Sequence, residues 1–174
     1  MGFIKDFFSK RPKTEQKPTP PPQKKPSVAS NKKGIQYDPA LVDNLKNDHS
    51  HLVTLFGQIW ELGYQANNPH KLAALVAQFK RDFQAHLLKE NVKFYVYLEQ
   101  NLSGDNTSMQ LVRDFRNEMN DIAHAVVKFC KRYSQPIKMS VLQKHFPEEY
   151  QQVGEVLTHR VSLEENELYT LYHP

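Results

Sequence analysis

The chain has 174 residues, 39% hydrophobic and 24% charged, which suits one globular domain with a segment to spare. Its formal charge of +4 is uneven: residues 1–34 hold nine Lys or Arg against two acids, a net of +7, and residues 35–174 hold 14 against 17, a net of −3. The domain therefore lacks the basic balance of a nucleic-acid binder, and the single cysteine, Cys130, excludes a disulfide framework and a zinc site built from several cysteines.

Residues 1–34 form a unit of their own. Phe3, Ile4, Phe7 and Phe8 share one side of a short helix, and six prolines follow between positions 12 and 26. This is an amphipathic end on a disordered, Pro/Lys-rich linker. It suits docking to an anionic membrane surface or a protein partner, or simply a solubilising terminus. "GFIKDFF" is too short for a signal-peptide core. Gly2 lacks the Ser or Thr at position 6 that myristoylation wants, since Asp6 stands there. No apolar run approaches the roughly 18 residues of a membrane span. A reducing, cytoplasmic location is expected, with the tail allowing a peripheral position at the inner membrane surface.

Residues 35–174 carry four long helical patterns and no convincing strand. The first opens with Asp38 as N-cap and Pro39 at the first helical position, and runs to about Leu62, stopping at Gly63. The second opens likewise with Asn68 and Pro69 and runs to about Asn101. After "LSGDNTS" a third spans about Ser108 to Tyr133. After "SQP" a short turn from Val141 reaches Pro147, and a fourth helix then runs to about Tyr172. Short loops between long helices predict an all-α fold: an antiparallel up-down-up-down four-helix bundle behind the disordered basic tail.

At about 100° per residue, the positions of the polar residues follow. The first helix buries Leu41, Leu45, Leu52, Phe56 and Ile59, with His49 filling the gap in phase. The second buries Leu72, Val76, Phe79, Phe83, Phe94 and Tyr97, with His86 and Glu90 centred on that face. The fourth has Tyr150, Val153, Leu157, Leu168 and Leu171, with Glu164 in phase. On the third, Glu118 flanks the stripe of Val112, Phe115, Met119, Ile122, Val126 and Cys130. His51, His124 and His159 point away. A buried carboxylate costs several kcal/mol unless it is paired or bound to a metal. Two imidazoles and two or three carboxylates in a bundle core suit iron or manganese better than structural zinc, which prefers sulfur. A His–Glu pair, or a salt bridge from Arg160 to Glu90 or Glu164, would satisfy the same groups without metal.

"DHSHLVTLF", "HLLKEN" and "LEENELY" together resemble the hemerythrin-like, or HHE cation-binding, family over about residues 37–173. The resemblance implies a four-helix bundle holding a non-haem iron site, usually of two irons. The family's D-H-x-x-L pattern falls on His49, and its H-x-x-x-E pattern on His86 and Glu90. Its fourth helix usually reads H-x-x-x-E-E. This chain has "RVSLEE", so Glu164 keeps its place while Arg160 stands where the histidine belongs. The third helix offers Glu118 and His124 where the family has one or two histidines. These departures imply one metal, or a carboxylate-rich site, with His49, His86, Glu90, Glu164 and Glu118 as ligands. The expected cofactor is one or two non-haem iron ions, with manganese as the alternative. The expected role is bacterial, regulatory and non-enzymatic: binding or sensing a small diatomic ligand such as O2 or NO, or handling iron. Tyr95 and Tyr97 lie near the second helix's part of the site. "YQQVGEVLTHRVSLEENEL" is also similar to the C-terminal helix of the regulator of sigma D family. That resemblance implies instead a metal-free helical interaction module binding a sigma factor.

Overall fold

The computed structural model describes residues 34–174. The amphipathic end and the linker lie outside the described residues, apart from Gly34. Four helices account for the domain. α1 is Leu41–Gln58, extended by a π-helical turn over Ile59–Gln65. α2 is Pro69–Lys89, a π turn over Glu90–Tyr95, and Val96–Asn101. α3 is Asn106–Tyr133. α4 is Met139–Leu163, a π turn over Glu164–Leu168, and a 3₁₀ turn over Tyr169–Leu171. No strand occurs among the described residues, and the all-α bundle is as the sequence predicts. No helix among them is long and apolar enough to cross a membrane.

Two helix starts follow local chemistry directly. Asn68 Oδ1 accepts the Lys71 N–H at 3.0 Å with Pro69 just inside the helix. Asp105 Oδ1 accepts the N–H groups of Thr107 and Ser108 and opens α3. α1 begins later than expected. Asp38 Oδ1 accepts the Ala40 N–H at 3.0 Å, so its cap serves a turn and the helix proper starts at Leu41.

Two expected breaks are not breaks. α1 does not stop at Gly63; it passes through it in the π turn and ends where Asn67 takes a positive φ of 53°. Gly63 is there for closeness, because a Cβ on it would lie 2.7 Å from Leu72 Cβ. α4 runs unbroken through Pro147. Leu142 and Phe146 before the proline and Val153 and Val156 after it are buried in one helical phase, and that packing outweighs the lost backbone hydrogen bond.

The core has two apolar layers. One joins Leu41 and Leu45 of α1 to Phe94 and Leu98 of α2, Val112 and Phe115 of α3, and Leu168 and Tyr169 of α4. The early part of α1 thus meets the late part of α2, the early part of α3 and the late part of α4, as antiparallel neighbours must. The other layer is aromatic: Phe79 packs on Phe56, which stacks on Tyr150 at 4.2 Å between centroids, and Phe146 meets Trp60, Phe129 and Tyr133. Each fully buried Leu or Phe contributes about 1.5–3 kcal/mol. His49, His86, Glu90 and Glu164 fall between these layers along their helices.

Gly63→Ala should lower stability by about 1–3 kcal/mol in urea unfolding, since the new methyl meets backbone as well as side chain of Leu72. Burial pushes the Cys130 thiol up to about 12. Folded protein should therefore resist a thiol reagent at neutral pH and react once unfolded.

Candidate metal centre

His49, His86, Glu90, Arg160 and Glu164 are the buried polar side chains among the described residues, none more than 5% exposed. α1 supplies His49, α2 supplies His86 and Glu90, and α4 supplies Arg160 and Glu164. One donor atom from each of His49, His86 and Glu164 lies within 4.8 Å of the others. The two imidazole centroids are 4.7 Å apart. Glu90 reaches the same place: its Oε2 is 3.8 Å from His86 Nε2. Its Oε1 accepts a hydrogen bond from the Tyr169 hydroxyl at 2.8 Å. Glu90 Oε2 has no hydrogen-bond partner among the described residues.

Each imidazole is held from behind by a carboxylate. Glu165 Oε1 lies 2.8 Å from His49 Nδ1, and Asp48 Oδ2 lies 3.4 Å from His86 Nδ1 while also accepting from Lys89 at 2.5 Å. The Nε2 atoms are left for the centre, where His49 Nε2 faces Glu164 Oε2 at 3.2 Å and the Tyr169 hydroxyl at 3.3 Å. The fifth member, Arg160, makes four hydrogen bonds. Its Nε donates to Glu164 Oε1 at 2.6 Å, one terminal nitrogen to Glu118 Oε2 at 3.2 Å, and the other to the Tyr95 hydroxyl and the Phe115 carbonyl. Its guanidinium also lies over the Phe115 ring, 4.7 Å from the centroid.

The electrostatics follow from these contacts. Burial and then the Glu164 charge push Glu90 up to about 8, which keeps it largely protonated at neutral pH. Burial opposes ionisation of Glu164, but hydrogen bonds from His49 and Arg160 more than offset it, and its carboxyl is held low. Burial likewise works against a charged His49, and Glu164 and Glu165 reverse the balance, so His49 is raised. Burial and the neighbouring His49 lower His86. The arrangement separates the groups: His49 and Glu164 favour each other's charged forms, whereas burial disfavours the charged forms of His86 and Glu90.

Of the five residues singled out from the sequence, the structure brings His49, His86, Glu90 and Glu164 together. Glu118 is part-exposed and turned to Arg160 instead. His124 and His159 are exposed. Tyr95 bonds to Arg160, whereas Tyr97 donates to the His173 carbonyl, away from the centre. Phasing missed Asp48, Glu165 and Tyr169. The first two adjoin His49 and Glu164 in sequence, so regular spacing turns them aside; the doublets D-H and E-E were their signal. Tyr169 comes inward because the π turn over Glu164–Leu168 holds one residue more per turn than its surroundings.

A hydrophobic replacement, Arg160→Met, should strip the partner from buried Glu164 and cost about 3–5 kcal/mol of stability by chemical denaturation.

The hemerythrin HHE cation-binding domain model matches residues 40–172, which span all four helices and the five buried polar residues. No curated protein and no solved structure matches the chain significantly. The match is to the first of the two families that the sequence resembles, and on its extent the chain belongs to the hemerythrin HHE cation-binding domain family.

Proposed function

We propose that the protein binds non-haem iron, with manganese as the alternative, through His49, His86, Glu90 and Glu164, and uses it to bind or sense a small ligand such as O2 or NO, or to handle iron. The observation that carries this reading is the Glu90 carboxyl. Its Oε2 is buried with no hydrogen-bond partner among the described residues, 3.8 Å from His86 Nε2. A cation beside it would give this oxygen the partner that no hydrogen bond among the described residues supplies. The donors also fit an ion in kind and spacing. Bonds of about 2.1 Å place neighbouring donors about 3 Å apart, and His49 Nε2 and Glu164 Oε2 stand at 3.2 Å. Two imidazoles with two carboxylates match iron or manganese, and no cysteine lies among these donors.

Iron held by these residues would supply reversible ligand binding and electron transfer. The chain's own residues do the rest. Asp48 and Glu165 fix the imidazoles by their Nδ1 atoms and aim Nε2 inward. Tyr169 holds one Glu90 oxygen and leaves the other for the metal. A cavity of about 90 Å³ is lined by His49, His86, Arg160 and Glu164 and otherwise by apolar groups and Thr158. It is smaller than the roughly 150 Å³ cavity that accepts benzene, so it suits an uncharged ligand of a few atoms. The +7 charge of residues 1–34 supports contact with an anionic membrane surface or an acidic partner.

One observation favours a metal-free interaction module: Arg160 already satisfies Glu164 and Glu118. The two readings separate on protein purified from iron-supplemented cells. Metal analysis should find bound iron, and the near-ultraviolet bands should change on adding azide. His86→Ala should lose the metal together with its stabilisation, about 2.7 kcal/mol at a free metal concentration 100-fold above Kd. Unchanged metal content in His86→Ala would sink the ligand set. A stable wild-type fold that takes up no metal would favour the interaction module.

A further inference from the structure

We propose that Arg160 is a resident second cation of this centre, so that the site takes one divalent metal ion per chain. The inference rests on the metal reading above and adds its stoichiometry. Glu164 divides its two oxygens: Oε1 accepts from Arg160 Nε at 2.6 Å, and Oε2 faces His49 Nε2 at 3.2 Å. One oxygen is therefore taken by a cation that belongs to the chain, and Oε2 is the one that would be open to a metal. The guanidinium cannot drift from this position. It is 2% exposed and is tied to α2 through the Tyr95 hydroxyl, to α3 through Glu118 and the Phe115 carbonyl, and to α4 through Glu164.

Electrostatics point the same way. A second divalent ion would lie beside a buried guanidinium that cannot lose its proton, and the two would repel in a low-dielectric core. It would also need oxygens of Glu118 and Glu164 that Arg160 holds. This assignment gives Glu118 its role: it is a partner of the built-in cation, and it neutralises Arg160 from the α3 side.

The test is a metal count on the full-length chain. Protein stripped with a chelator is titrated anaerobically with Fe(II), passed through a desalting column and analysed for iron and protein. One iron per chain is expected. Two irons would overturn the role of Arg160 while leaving the metal reading intact, and none would overturn both. Arg160→His exchanges the guanidinium for a neutral imidazole beside Glu118 and Glu164, and should raise the count to two. A folded variant that still takes one would overturn the assignment. If that variant does not fold, the wild-type count decides alone.

Discussion

The centre of this bundle is organised by a buried ion pair, Arg160 with Glu164 on the same helix. Neither charge is stable in an apolar core alone, because the desolvation of each exceeds what one contact returns. The surrounding structure therefore converges on the pair. Glu118, Tyr95 and the Phe115 carbonyl complete the guanidinium, and His49 completes the carboxylate. Three neighbouring helices are drawn to α4 through these contacts, and the two apolar layers close above and below them.

The site is reached by departures from regular helix geometry. Two of the three π turns start on site glutamates, Glu90 and Glu164. Each lets two consecutive residues face the core, Phe94 with Tyr95 and Leu168 with Tyr169. Without the extra residue in the turn, the Tyr95 and Tyr169 hydroxyls would not both reach the centre. Tyr169 would then leave Glu90 with two bare oxygens instead of one. Widened turns of this kind inside an α-helix are frequent at functional sites.

Polarity within the centre is graded. Asp48 and Glu165 are partly exposed and lie behind the imidazoles, where solvent weakens their charge. Glu90 is sealed, and its carboxyl is the one pushed up to about 8. The apolar cavity borders His49, His86, Glu164 and Arg160 but not Glu90. The cavity thus opens on the imidazole side of the centre, and the orphaned carboxylate oxygen stays on the closed side.

Sequence alone determined the helices, their apolar stripes and four of the polar residues that meet in the core. Those features depend on spacing along one chain: α2 buries every residue assigned to its stripe, from Leu72 to Tyr97, and α3 every one from Val112 to Cys130. His49, His86, Glu90 and Glu164 were legible because polar residues in an apolar phase stand out. Tertiary structure decided what each polar group touches. Glu118 could have faced the centre or the edge, and only the position of Arg160 on another helix settles it. Gly63 and Pro147 read as stops, yet close packing against Leu72 and continuous burial on either side of the proline carry the helices through. Tyr169, Asp48 and Glu165 belong to the centre for reasons outside a fixed 100° step: a widened turn in one case, and partners from a neighbouring helix in the others. Spacing reports which way a residue points, but hydrogen bonds between helices depend on distances that the linear chain does not contain.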